Sequence, residues 1–247
     1  MGTLDGKGAV VTGGSRGIGR AIVQRLAAEG ASVLFNFARS ADQAAEVERA
    51  VREAGGQARG IRADLREPAA ADTLMVMAQE HLPGLDVLVN NAAVEFTSQL
   101  IADTEAEMYD DVMGVNARSA FLTMRQAART MRDGGRIINI STLNTTRPGP
   151  KSALYAASKG ALEQLTKVAA IELGSRGITV NAVCPGATDT DLLWHNNPGA
   201  TPEEVAKLTP LGRVGQPADI ADFVALLAGP DARWITGEII GATGGLG

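Results

Sequence analysis

Short β-branched runs alternate with stretches of helical periodicity along this chain, and no other feature restricts its fold as strongly. The runs fall at residues 9–11, 32–37, 58–63, 87–89, 136–140, 179–184 and 238–240. Between them, 17–29, 42–54 and 117–131 carry apolar residues at helical spacing. Strands separated mostly by helices imply parallel, right-handed crossovers. The expectation is a doubly wound, seven-stranded, mainly parallel sheet with helices on both faces. A (β/α)8 barrel is the rival at 247 residues. No repeat, low-complexity tract or linker interrupts the pattern, so residues 1–247 read as one domain.

The loop after the first run favours the open sheet. It reads Thr12-Gly13-Gly14-Ser15-Arg16-Gly17-Ile18-Gly19 and passes directly into a helix. Glycines there permit a tight turn, let backbone N–H groups approach a pyrophosphate and let helix pack closely on strand. The spacing departs from Gly-x-Gly-x-x-Gly, but the strand-turn-helix setting points to dinucleotide binding. At the end of the second run, Phe35-Asn36-Phe37-Ala38-Arg39-Ser40 has no carboxylate to accept the ribose hydroxyls. Arg39 with Arg16 suits a 2′-phosphate, which favours NADP(H) over NAD(H); two solvated arginines are the alternative. Asp64-Leu65 is placed to meet an adenine amino group or to cap the next helix.

Tyr155 and Lys159 stand one helical turn apart, so phenol and ammonium share a face. A lysine close to a tyrosine favours the phenolate and prepares it for proton transfer. The fifth run ends Asn139-Ile140-Ser141-Thr142 at the sheet edge where ligands bind, which brings the Thr142 hydroxyl toward the phenol. Alternation points Ser141 elsewhere. The fourth run ends in Asn90-Asn91-Ala92-Ala93, whose amides suit loop support. Asn116 interrupts an apolar helical stretch, and a kink there would offer a carbonyl to water. After Pro185-Gly186-Ala187-Thr188-Asp189-Thr190 comes a lid over about residues 187–209, with Trp194, His195 and Asn196 facing a substrate pocket. Asp189 and Asp191 read as turn and capping residues.

Composition excludes several functions. With 23 basic and 28 acidic residues, a net charge of −5 and no basic run, the chain is a poor match for nucleic acid or an anionic membrane. There is no apolar run long enough to span a bilayer, and the first strand pattern starts too early for a targeting peptide. The one cysteine, Cys184, suits a reducing cytoplasm and reads as a buried thiol. His81 and His195 have no metal-ligand spacing, so no metal is expected.

Taken in order, Thr12 through Gly19, Asn90 through Ala93, Asn116, Thr142, Tyr155 with Lys159, and Pro185 through Thr190 resemble the short-chain dehydrogenase/reductase family over essentially the full length. The flavour is closest to members that reduce β-ketoacyl groups on carrier protein. The resemblance implies a Rossmann-type domain and a catalytic set of Asn116, Thr142, Tyr155 and Lys159. It implies cofactor contacts from Gly13, Ser15, Arg16, Gly17, Ile18, Gly19, Arg39, Ser40, Asp64, Leu65, Asn91, Ala92, Tyr155, Lys159, Pro185, Gly186, Thr188 and Thr190. A small-molecule carbonyl or alcohol substrate and a homotetramer are further implications. Threonine replaces the family's usual serine at 142, Ala93 replaces a glycine, and Gly241-Ala242-Thr243-Gly244-Gly245 lacks an aspartate often found there. Asp133 and Ile171 stand where carrier-protein reductases are expected to be basic, which keeps a free small ketone open as substrate. A catalytically weak NADP(H) sensor is the non-enzymatic alternative.

Overall fold

The computed structural model describes residues 2–94 and 99–246. Seven strands form one sheet: β1 (Gly8–Val11), β2 (Ser32–Phe37), β3 (Gln57–Arg62), β4 (Leu85–Asn90), β5 (Met131–Ile140), β6 (Thr179–Pro185) and β7 (Ile239–Ala242). Every paired neighbour is parallel, in the order β3-β2-β1-β4-β5-β6-β7. The chain winds outward from β1 to β3, returns to β4, and winds the other way to β7. Loops at the carboxyl ends of β1 and β4 therefore diverge and leave a crevice between them.

Both faces are covered, which is why the strands read as continuous apolar runs rather than strict alternation. On one face Val11, Phe35, Val89 and Ile138 pack with Ile22 and Leu26 of α1 (Gly17–Ala28), Val47 of α2 (Ala41–Glu53) and Val224 of α9 (Pro217–Ala228). Their immediate neighbours Val10, Leu34, Leu88 and Ile137 point the other way. These meet Leu74 of α3 (Pro68–His81), Met124 of α5 (Ser119–Thr130) and Leu162 of α6 (Ala153–Leu173). Between the layers, Thr123 Oγ1 donates to Asn90 (2.6 Å), Asn90 to Asn139 (2.8 Å) and Asn139 to Thr166 (2.8 Å). This chain satisfies the buried amides and fixes β4, β5 and both helices to one another.

Two expected elements take different forms. The stretch around Asn116 is a π turn, Gly114–Arg118, joining α4 (Ala106–Met113) to α5. A single wide turn of this kind displaces the ladder of backbone bonds and kinks the helix. The stretch expected to be a lid folds as two short helices, α7 (Asp191–Asn196) and α8 (Pro202–Lys207). A Thr201–Glu204 capping box starts α8: Thr201 N donates to the carboxylate (2.9 Å) and Glu204 N to the hydroxyl (3.3 Å).

Candidate active site

A cleft of about 1300 Å³ opens along the carboxyl edge of the sheet, and it joins most of the residues singled out from the sequence. At one end lies the glycine-rich turn. Gly13 (φ 67°) and Gly17 (φ 53°) have left-handed backbone, and a Cβ on Gly19 would overlap the Gly13 carbonyl. Asn36 secures the turn by accepting from Gly13 N (3.0 Å) while donating to Ala63 O (2.8 Å). Thr12 Oγ1 accepts from the N–H groups of Asn91 (2.9 Å) and Ala92 (3.0 Å), and the Asn91 amide donates to Thr12 O and Gly13 O. The N-cap residue, Arg16, makes no side-chain capping bond and no acidic residue sits in the first turn of α1, so an electropositive helix end faces the cleft. Arg16, Arg39 and Ser40 line this end, with Asp64 and Leu65 beside them. The Asp64 side chain accepts from Arg66 N (3.1 Å) in a local turn rather than capping α3.

At the other end α6 presents Tyr155 and Lys159. Thr142, immediately past β5, lines the cleft beside Tyr155, and its side chain favours the phenolate. Lys159 is almost wholly buried, donates to Ile140 O (2.7 Å) and lies 5.8 Å from the centre of the Tyr155 ring. Ser141 turns away to donate to Glu163 (2.6 Å), as strand alternation requires. Pro185, Gly186, Thr188 and Thr190 form the wall after β6.

The sequence model of the family described as Enoyl-(Acyl carrier protein) reductase matches residues 13–247. A short-chain dehydrogenase/reductase from Serratia marcescens superposes with a TM-score of 0.93 at 46% identity, covering 99% of each chain. This chain belongs to the short-chain dehydrogenase/reductases. A versicolorin reductase of Emericella nidulans is 41% identical over 254 residues, covering 98% of this chain and 96% of its own. The solved structure of angucycline C-6 ketoreductase with bound NADP is 44% identical, with a TM-score of 0.93, covering 99% of this chain and 97% of its own.

Several details of this short-chain dehydrogenase/reductase differ from sequence expectation. The net shift of the phenol is upward: burial pushes Tyr155 up to about 12 against the downward pull of the Thr142 side chain. Burial likewise pushes Lys159 down to about 8. Both shifts have one cause, since a poorly hydrated floor penalises phenolate and ammonium alike. Asn116 does not line the cleft. Its amide oxygen accepts from Val94 N (2.9 Å) and its nitrogen donates to Ser158 Oγ (3.1 Å), tying the π turn to the loop after β4 and to α6. Trp194 is likewise outside the lining, its indole donating to Asp189 (2.7 Å), whereas His195 and Asn196 line the cleft. Thr190 caps α7, and Asp191 faces Arg16 at 3.5 Å.

Reading the sequence missed Asn36, Ser158 and Glu163. Asn36 was legible as a polar residue inside β2, where only the first residue, Ser32, is also polar. The other two sit on ordinary helical positions and stand out only once the elements are packed.

Proposed function

We propose that this chain is an NADP(H)-dependent ketoreductase, moving a hydride between nicotinamide and a ketone or secondary alcohol while Tyr155 transfers the proton. The observation that supports this most directly is that Thr142, Tyr155 and Lys159 line one cleft whose far end is a glycine-rich turn. The residues there fit a dinucleotide. Gly13, Ser15, Gly17, Ile18 and Gly19 would cradle the pyrophosphate, Arg16, Arg39 and Ser40 the 2′-phosphate, and Asp64 and Leu65 the adenine. Asn91, Ala92, Lys159, Pro185, Gly186, Thr188 and Thr190 would hold the nicotinamide riboside. Relatives solved with NADP or NADPH support the same assignment.

When bound, the nicotinamide supplies the hydride. Tyr155 gives its proton to the carbonyl oxygen; the raised pKa keeps the phenol protonated at neutral pH. Thr142 holds that oxygen beside the phenol. Lys159 stabilises the phenolate left behind, and the π turn at Asn116 offers a carbonyl to the water that returns the proton.

Asp133 is engaged with Arg176 (2.8 Å) and Ile171 is exposed, so the surface expected to greet an acidic carrier protein offers neither residue as a cation. This supports a free ketone, as do relatives named versicolorin reductase and ketoreductase. Homotetramer formation is the accompanying proposal.

The test follows NADPH absorbance with α-tetralone and with acetoacetyl-coenzyme A. Turnover of the tetralone, a clear NADPH preference over NADH, and at least about 10³-fold loss in a folded Tyr155→Phe are expected. Substantial activity in that variant would overturn the mechanism. Binding of NADPH without turnover of either ketone would favour a sensor.

A further inference from the structure

Glu163 is an α6 carboxylate that the proposed chemistry does not use. It lies one turn beyond Lys159, on the same helix face. Its Oε1 accepts from Ser141 Oγ (2.6 Å) and from Cys184 Sγ (3.5 Å). The first donor adjoins Thr142 at the end of β5; the second adjoins Pro185 at the end of β6. Ser141 N also donates to Val183 O (2.7 Å), so these two strand ends are fastened to each other as well as to the helix. Both donors are buried, and a charged acceptor makes the 2.6 Å bond a strong one.

The backbone of β5 is thus tied to α6 at two successive turns. Lys159 grips the Ile140 carbonyl (2.7 Å), and Glu163 grips the next side chain along. Thr142 comes directly after and lines the same cleft as Tyr155, which rises from the preceding turn of the same helix. We propose that Glu163 is a positioning residue: its clamp on Ser141 and Cys184 sets where the Thr142 hydroxyl stands relative to the Tyr155 phenol. The proposal rests on the ketoreductase reading for its consequence in turnover, but the coupling of Glu163 to the phenol is independent of it. Alignment errors of about 1 Å cost on the order of 100-fold in rate.

The experiment compares Glu163→Ala, Glu163→Gln and Thr142→Val by two readouts. The first is the signal of [13Cζ]tyrosine at Tyr155 in a Tyr109→Phe background, which leaves one tyrosine of the two. Glu163→Ala should move that signal toward its position in Thr142→Val, and Glu163→Gln, which keeps an acceptor oxygen, should return it toward the parent. The second is α-tetralone reduction, where Glu163→Ala should lower kcat about 10- to 100-fold with KM for NADPH unchanged and Glu163→Gln should recover most of it. An unmoved tyrosine signal in Glu163→Ala overturns the proposal, as does a loss of melting temperature with kcat intact. A parent enzyme that reduces no ketone but shows the coupled signal shift would sink the ketoreductase reading and leave the positioning role standing.

Discussion

Tyr155 and Lys159 were paired by their spacing, yet the electrostatics of the folded site are set by what surrounds them. With Lys159 held near 8, the folded chain binds fewer protons there than an unfolded chain whose lysine titrates near 10.5. Folding stability from this group therefore rises as pH climbs from about 8 to about 10.5 and is least below that window. Tyr155, raised from 10 to about 12, acts in the opposite direction, adding stability that is lost as pH rises from 10 to 12. The lysine is isolated by comparison with Lys159→Met. Between pH 7.5 and 10 the parent should gain on that variant by an amount on the order of 2–3 kcal/mol in urea unfolding. A gap independent of pH would mean that the ammonium is solvated after all.

Among the elements, the β1–α1 turn is the least forgiving. A Cβ at Gly19 would meet the Gly13 carbonyl and the Asn91 amide. The first is backbone, and the second is held by its bonds to Thr12 O and Gly13 O. Gly19→Ala should therefore push α1 off β1 and weaken NADPH binding at least about tenfold, measured by quenching of intrinsic fluorescence. Gly160 is the contrasting case: a Cβ there meets open space.

For the whole molecule, large apolar side chains remain exposed on separate elements, among them Phe121 of α5, Val168 and Ile171 of α6, and Trp234, 95% exposed. One twofold axis covers one apolar face, and two perpendicular axes cover two. Sedimentation velocity should accordingly give four times the 25.6 kDa chain mass, and a monomer at micromolar concentration would contradict the proposal. The seven parallel strands, the glycine-rich turn and the Tyr155–Lys159 pair were legible in the sequence because each depends on local periodicity or on short-range spacing. The Asn116 kink was legible as an anomaly but not as a π turn. The reversed phenol shift, the outward Trp194 and the Glu163 clamp were not legible, since each depends on which distant groups come together and how much water they exclude. The amino-acid order by itself determined a parallel sheet with its functional residues at one edge. Only the tertiary structure decided the protonation of that edge, because desolvation belongs to the packed assembly of strands and helices and not to any one stretch of chain.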